Sequence, residues 1–300
     1  MKEGPWLPYS VLFLGVVAVS WSAILIREAE APSLIIGAYR MVFAAAPVGA
    51  LALVQQRRAP EPLAGSFLLL VLSAACLAAH FAFWIESLRH TSVVTSVVLV
   101  AAQPLYVALV SPFLLREQVD RTVWLAIGVG TAGAALMAGE DLGDGLGTIG
   151  GDVYALLGGV TAAGYFIIGR RVRATVSWVR YVGVVYPITA LMLVALALIA
   201  QESFTGYSTK TWLMIGLTAL VPQLIGHTAI NWSLGFLSAV VVAVMILLEP
   251  VITTGLAIPI LDERPTSFEL AGGLLVLVGV YMALRPRPEE RLAVEVAAAD

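Results

Sequence analysis

Two stretches decide the fold of this 300-residue chain: SVVTSVVLVAAQPLYVALVSPFLLRE at 92–117 and SAVVVAVMILLEPVITTGLAIPILDE at 238–263. The second begins 146 positions after the first, so that Gln103-Pro104 falls on Glu249-Pro250. The same offset aligns further pairs, namely Ser92 with Ser238, Glu117 with Glu263, and Ser87-Leu88 with Ser233-Leu234. Apolar segments resemble one another by chance, but a shared offset indicates an internal duplication.

The composition around these stretches excludes an ordinary soluble domain. Hydrophobic residues make up 60% of the chain, charged residues 12%, and the mean hydropathy is +0.93. Soluble proteins are roughly 45–50% apolar and about 25% charged. The net charge of −3 and the lack of a basic stripe argue against a nucleic-acid partner. The single cysteine, Cys76, cannot form an intramolecular disulfide. We therefore expect an integral membrane protein in a lipid bilayer.

A helix needs about 20 residues to cross a bilayer. Apolar segments of about that length recur along the chain. Ten of them stand out, at 7–26, 34–54, 66–88, 91–115, 123–138, 151–168, 178–200, 211–234, 237–261 and 268–284. This predicts an all-α polytopic protein with one repeat at 7–138, a second at 151–285 and a polar tail at 286–300. Because five spans are an odd number, the second repeat would be inverted relative to the first around a central cavity.

The basic residues predict the orientation of these spans, since Lys and Arg are retained on the cytoplasmic side. With the amino end inside, twelve of the 17 Lys and Arg residues lie in inner segments. The loop at 139–152 carries four acidic residues and no basic one, as expected outside. Both termini are therefore predicted to lie on the cytoplasmic side of an inner membrane.

Each half also resembles one repeat of a known family. The first half carries Ser87-Leu88-Arg89-His90-Thr91-Ser92, Pro104, Leu114–Glu117 and a glycine-rich helix with Gly128, Gly130 and Gly133. The second carries Ser233-Leu234-Gly235-Phe236-Leu237-Ser238, Glu249-Pro250, Asp262-Glu263-Arg264 and Gly272, Gly273 and Gly279. Trp21-Ser22 and Tyr39-Arg40 fit the same pattern. These motifs resemble the EamA branch of the drug/metabolite transporter superfamily. The resemblance implies a ten-helix basket that moves small metabolites by alternating access, often exporting amino acids, without a cofactor.

Polar side chains at membrane depth are the candidate substrate-binding residues. A charge at the centre of a spanning helix costs about 2.5–3.5 kcal/mol on insertion scales, so such groups face a cavity or a partner. The polar residues concerned are Arg40, His80, Gln103, His227, Asn231 and Glu249. They predict a small water-accessible site for an organic solute. Whether transport is coupled to an ion, H⁺ or Na⁺, is left open.

Glu249 and Arg40 each allow a functional and a structural interpretation. Glu249 can bind a substrate amine or carry a proton, or it can be a neutral carboxyl or a partner of Arg40. Arg40 can grip a substrate carboxylate with its planar fork, or it can anchor the fold to backbone carbonyls or to Glu28. Pro104 and Pro250 are expected to kink their helices, each freeing a carbonyl.

An aromatic wall is expected beside these groups. Residues 80, 83, 84 and 87 share one helical face, which places His80, Phe83 and Trp84 together. Trp21 and Tyr165 are expected to complete the wall, although tryptophan is also enriched at membrane interfaces. Glu117 and Glu263 are expected to cap helix ends or to pair with Arg121 and Arg264.

Two other classes of function remain as alternatives. A uniporter or channel-like facilitator would share the same architecture. An intramembrane metal-dependent enzyme would need a site from His80, His227 and Glu249, scattered over three helices. The sequence has no H-E-x-x-H zinc motif and no P-loop, and we predict no metal site.

Overall fold

The computed structural model describes residues 6–59, 63, 65–137, 149–261 and 266–284. All regular structure in these ranges is helical. The first half contains α1 (Leu7–Val19), α2 (Ser22–Arg27), α3 (Ser33–Arg58), α4 (Phe67–His90), α5 (Val93–Val100), α6 (Gln103–Leu114) and α7 (Arg121–Met137). The second half contains α8 (Ile149–Arg173), α9 (Trp178–Ile199), α10 (Thr209–Thr218), a π-helical segment (Ala219–His227), α11 (Thr228–Ser233), α12 (Ala239–Ile246), α13 (Leu248–Leu261) and α14 (Ser267–Leu284).

The helix boundaries reproduce the 146-residue offset. Val93–Val100 shifted by 146 gives 239–246, the bounds of α12. The N-caps repeat as well, because the Ser92 hydroxyl accepts the Thr95 N–H at 3.0 Å and the Ser238 hydroxyl accepts the Val241 N–H at 3.2 Å. Two repeats of one helical unit therefore build the protein.

Eight helical segments of the described chain are long and apolar enough to cross a membrane. They are Leu7–Arg27, Ser33–Arg58, Phe67–His90, Val93–Leu114, Ile149–Arg173, Trp178–Ile199, Thr209–Ser233 and Ala239–Ile260. Two shorter apolar helices, Arg121–Met137 and Leu270–Leu284, coincide with the remaining predicted spans. The protein is thus a multi-pass membrane protein. The tail at 286–300 and most of the acidic loop at 139–152 lie outside the described residues.

Glycines allow a close contact between helices α7 and α14. A Cβ on Gly133 would lie 2.6 Å from the Gly272 carbonyl oxygen, and one on Gly279 would lie 2.7 Å from that of Ala126. Gly272 is 146 positions after Ala126, and Gly279 is 146 positions after Gly133. The two contacts therefore exchange under the repeat offset, and only glycine permits this approach of the backbones.

The π-helical segment is the clearest departure from the repeat. It spans Ala219–His227 and includes Pro222, whereas the equivalent part of α4 is α-helical. Proline removes a hydrogen bond of the helical ladder, and π-helical turns are one way that a helix absorbs the change. The segment carries Gln223 and His227 on its buried side.

Candidate functional site

A cavity of about 30 Å³ lies between the two repeats. Its wall is built from α1, α2, α4, α5 and α6 of the first half and from α8, the π-helical segment, α11, α12 and α13 of the second. The lining residues are Val19, Ser22, His80, Trp84, Val100, Gln103, Ala162, Tyr165, Phe166, His227, Ile230, Ile246 and Glu249. A buried water needs roughly 10–15 Å³, so the cavity has room for about two waters, and an organic solute would require the helices to separate.

Arg40 lies directly behind this wall and is fully buried. Its Nε donates to Gln223 Oε1 at 2.9 Å, and its Nη1 donates to Ser22 Oγ at 2.8 Å. The guanidinium carbon lies 4.3 Å from the centroid of the Phe81 ring, a cation–π contact. Arg40 Nη2 and Gln223 Nε2 find no hydrogen-bond acceptor. Arg40 therefore joins the two repeats and keeps one donor group unused.

Neither acidic partner that the sequence suggested is bound to Arg40. Among the described residues, no ion pair joins Arg40 to Glu249, and Glu28 instead pairs with Lys210 at 2.6 Å. The hydrogen bonds of the guanidinium go to an amide and a hydroxyl, and its face packs on an aromatic ring. The Glu249 carboxyl acts on its charge through space, beyond ion-pair distance.

His80 and Trp84 form one aromatic slab on α4. Their rings stack with centroids 5.6 Å apart and an interplanar angle of 9°. His80 Nδ1 donates to the Gly158 carbonyl at 2.9 Å, because a carbonyl can only accept. In the neutral ring Nε2 is then an acceptor. Trp84 Nε1 and His227 Nδ1 have no partner in the described structure, so the cavity wall offers unused hydrogen-bonding groups.

Gln103 and Glu249 face the same cavity from equivalent places in the two repeats. Gln103 follows a break between α5 and α6, and Glu249 follows the break between α12 and α13. Gln103 is 3% exposed and its Oε1 has no hydrogen-bond donor. Pro104 and Pro250 each lie next to these residues, near the start of the second half-helix.

A layer of hydroxyl groups closes the cavity on the side of Asn231. Tyr165 donates to Asn231 Oδ1 at 2.8 Å, and Asn231 Nδ2 donates to the Tyr186 hydroxyl at 3.3 Å. The Arg173 guanidinium in turn donates to the Asn231 backbone carbonyl at 3.0 Å. Asn231 is thus a buried link between helices beneath the cavity, while Tyr165 belongs to both the layer and the wall.

Two of the predicted wall residues lie elsewhere. Trp21 is half-buried at the junction of α1 and α2, and its neighbour Ser22 reaches the cavity in its place. Phe83 stacks on Tyr154 of α8, with ring centroids 6.2 Å apart. On α4, residues 80 and 84 point inward while residue 83 turns toward α8, because residue 83 is offset around the helix from residue 84.

Sequence reasoning missed Gln223, Ser22 and Tyr186. Gln223 satisfies the same criterion as the predicted residues, since it is a polar side chain next to a proline within an apolar span. Ser22 and Tyr186 carry weaker signals, because hydroxyl groups are common in spanning helices and can bond to their own backbone.

A second polar cluster joins the helix ends beyond the Asn231 layer. Glu117 Oε1 accepts the Arg170 Nε–H at 2.8 Å, and Oε2 accepts the Ala239 N–H at 3.2 Å. Arg170 also donates to the Leu234 carbonyl at 3.0 Å. Glu117 thus caps a helix, as expected, but its ionic partner is Arg170 of the other repeat rather than Arg121. Glu263 lies outside the described residues.

We expect Glu117→Gln to destabilise the protein by about 1.5–3 kcal/mol, the range for hydrogen bonds to charged groups. The pair is mostly buried, with exposures of 27% and 18%, so solvent screens it little. Thermal unfolding in detergent measures the change. Glu28→Gln is the control, because its ion pair with Lys210 is largely exposed and should matter little. Equal shifts for both variants would contradict a stabilising role for Glu117.

A wider cavity of about 500 Å³ opens at the opposite end of the bundle. Arg27 and Arg89 lie at its rim, and Arg27 donates to the carbonyl oxygen of Leu88. Its floor is formed by buried Ile26, Ile36 and Ile85. Ile26 follows Ser22 of the central cavity by about one helical turn, and Ile85 directly follows Trp84, so the separating layer is thin.

Metal chemistry gains no support from the described part of the chain. No group of three His, Cys, Asp or Glu side chains lies there in an arrangement that could hold a metal ion. His80 and His227 approach each other with ring centroids 6.5 Å apart, and both belong to the cavity wall.

Comparison with known proteins gives one family and one fold. The sequence profile described as the EamA-like transporter family matches residues 6–139 and again residues 149–285. A protein of known crystal structure is similar, with a TM-score of 0.77, 18% sequence identity, and coverage of 92% of this chain and 96% of that chain. No curated protein gives a significant match. The profile match covers nearly the whole chain, and the structural likeness shows the fold.

Proposed function

Because the chain belongs to the EamA-like transporter family and so is a transporter of small molecules, we propose that it exports amino acids or similar solutes across the inner membrane by alternating access. The observation that carries this proposal is the central cavity. It lies between the repeats and is lined by polar groups without partners, among them Gln103 and His227. Buried polar groups that lack a partner are costly, and a polar solute would supply the missing hydrogen bonds.

We further propose ten spans in two inverted halves, with both termini cytoplasmic. The exchange of contacts between α7 and α14 supports the inversion, because a twofold axis in the membrane plane generates such a pair of contacts. The predominance of Lys and Arg in the inner segments supports the orientation.

Alternating access is supported by the unequal barriers on either side of the cavity. On one side, the Tyr165–Asn231 hydrogen bond joins helices of the second repeat, and the Glu117–Arg170 pair connects the two repeats. On the other, a thin apolar layer separates the cavity from the wider opening at Arg27 and Arg89. Breaking the polar layer while closing the wider opening would expose the solute to the opposite face.

Counterflow in proteoliposomes tests the function. The purified protein is reconstituted with one unlabelled amino acid inside, and uptake of the same labelled amino acid is followed for a panel of the common amino acids. A carrier should give saturable uptake that depends on the internal solute. Flux that neither saturates nor depends on internal solute would favour the channel-like facilitator. Replacing Na⁺ or collapsing the proton gradient identifies the coupling ion.

His80 should contribute directly to solute affinity. We expect His80→Ala to weaken binding about tenfold, equivalent to ~1.4 kcal/mol, because the ring forms part of the cavity wall and stacks on Trp84. Cys76→Ala is the matched control, since Cys76 lies one turn earlier on α4, outside the cavity lining. Binding is measured by ligand-induced thermal stabilisation. Equal losses for the two variants would contradict a solute site at α4.

A further inference from the structure

Each of the two broken spans leaves a main-chain carbonyl without its usual helical donor. Pro104 has no N–H, so it cannot bond to the carbonyl of Val100, four residues earlier. Pro250 stands in the same relation to Ile246. Val100 and Ile246 are the last residues of α5 and α12, and both line the central cavity. The carbonyl end of a helix carries partial negative charge, so each break adds an acceptor.

The side chains next to the prolines add two more acceptors. Gln103 Oε1 is buried without a donor. Glu249 is partly exposed to the cavity and makes no hydrogen bond or ion pair with the described residues. Gln103 and Glu249 are equivalent under the repeat offset, as are Val100 and Ile246. The Gln103 amide and the Glu249 carboxyl thus face one cavity of about 30 Å³ from equivalent positions of the two repeats.

We propose that these paired helix breaks form one site for a single positive charge, held by Gln103 and Glu249. The ligand is either Na⁺ or the ammonium group of an organic solute, which share a preference for oxygen acceptors. Broken spans bind ions in this way in other secondary transporters. The inference deepens the proposed function and rests on it, since the site would lie on the path of the solute.

The nearby Arg40 charge does not cancel the site. Arg40 donates its hydrogen bonds to Gln223 and Ser22 and packs on the Phe81 ring, and it acts on Glu249 through space, beyond ion-pair distance. Its unused Nη2 suits the carboxylate of a solute whose ammonium group lies at Glu249. A zwitterion would then balance both charges, whereas Na⁺ would bind best together with an anionic group.

Exchanging the carboxylate between the repeats tests the site. We compare the wild type with Glu249→Gln, Gln103→Glu and the double variant that carries both changes. Glu249→Gln should weaken cation binding at least tenfold. The double variant should recover affinity to within about threefold of the wild type, because it restores one carboxylate at the equivalent position. If the Glu249 carboxyl group only helped α13 to pack, a carboxyl group at position 103 on α6 would not restore the affinity for the cation.

Two probes distinguish the source of the charge. The unfolding temperature of the full-length protein in detergent is first compared between NaCl and N-methyl-D-glucamine chloride. It is then compared between L-phenylalanine and 3-phenylpropanoate, which lacks the ammonium group. Stabilisation by NaCl that is lost in Glu249→Gln identifies Na⁺. Stabilisation by L-phenylalanine alone, also lost in that variant, identifies the ammonium group.

The outcomes separate this inference from the proposed function. If neither NaCl nor L-phenylalanine stabilises the wild type, or if the double variant binds no better than Glu249→Gln although Gln103→Glu is folded, the cation site is wrong. Counterflow that persists in those cases leaves the transport function standing. Absence of counterflow for every amino acid, with cation binding intact, overturns the function alone.

Discussion

Arg40→Met should lower transport at least about 100-fold, equivalent to ~2.7 kcal/mol of barrier, while the folded protein persists. The guanidinium is fully buried and donates to both Gln223 and Ser22. It nevertheless leaves Nη2 without an acceptor, which a purely structural cation would not do. Removing Arg40 alone leaves the buried Gln223 Oε1 and Ser22 Oγ without their donor, which costs about 1–3 kcal/mol for each group. We therefore expect a moderate loss of stability beside the larger loss of transport.

Counterflow rates and unfolding temperatures of the same purified samples measure the two effects. Arg40→Lys is the comparison variant, because it keeps the charge but cannot bond to both Gln223 and Ser22 with a planar fork. We expect it to retain slow transport with a raised KM. Wild-type transport by Arg40→Met would refute a functional role for this residue. A collapse of the unfolding temperature in both variants would instead make Arg40 an anchor of the fold.

Much of the fold was accessible from the sequence because a membrane limits the choices. In lipid, every backbone polar group must be satisfied within the segment, so long apolar runs predict helices. The duplication is indicated by the equal spacing of Gln103-Pro104 and Glu249-Pro250. The boundaries of α5 and α12 show the same offset. The helix breaks could not be placed from proline alone, because Pro47 and Pro187 lie inside continuous helices whereas Pro104 and Pro250 lie just after a break.

The candidate site was harder to predict, because the sequence does not give the rotation of each helix. Phe83 and Trp84 are neighbours in sequence, yet one packs on Tyr154 and the other lines the cavity. The partners of Arg40 were also missed. An amide and a hydroxyl accept its hydrogen bonds, whereas a search for charges alone finds only Glu28 and Glu249.

Gly133→Ala should destabilise the protein by about 3 kcal/mol, near the upper range for overpacked sites. The added Cβ would lie 2.6 Å from the Gly272 carbonyl oxygen and 2.8 Å from the Val276 backbone nitrogen. Both are backbone atoms, so no side chain can rotate away and α7 must move from α14. Because α7 also contacts Leu247 at the break before α13 through Gly130, we expect transport to fall together with stability.

The same helix supplies the matched control. Gly128→Ala makes the same chemical change where nothing lies within 4 Å of the added Cβ, and it should stabilise the helix by roughly 0.5–1 kcal/mol. On α14, Gly273→Ala meets only ordinary contacts, the nearest at 3.8 Å, and should be tolerated. Combining Gly133→Ala with Gly272→Ala should cost less than the sum of the two single changes, because both separate the same pair of backbones. Unfolding temperatures that fall equally in Gly128→Ala and Gly133→Ala would mean that this helix crossing is not close-packed, and the twofold exchange of its contacts would lose its physical basis.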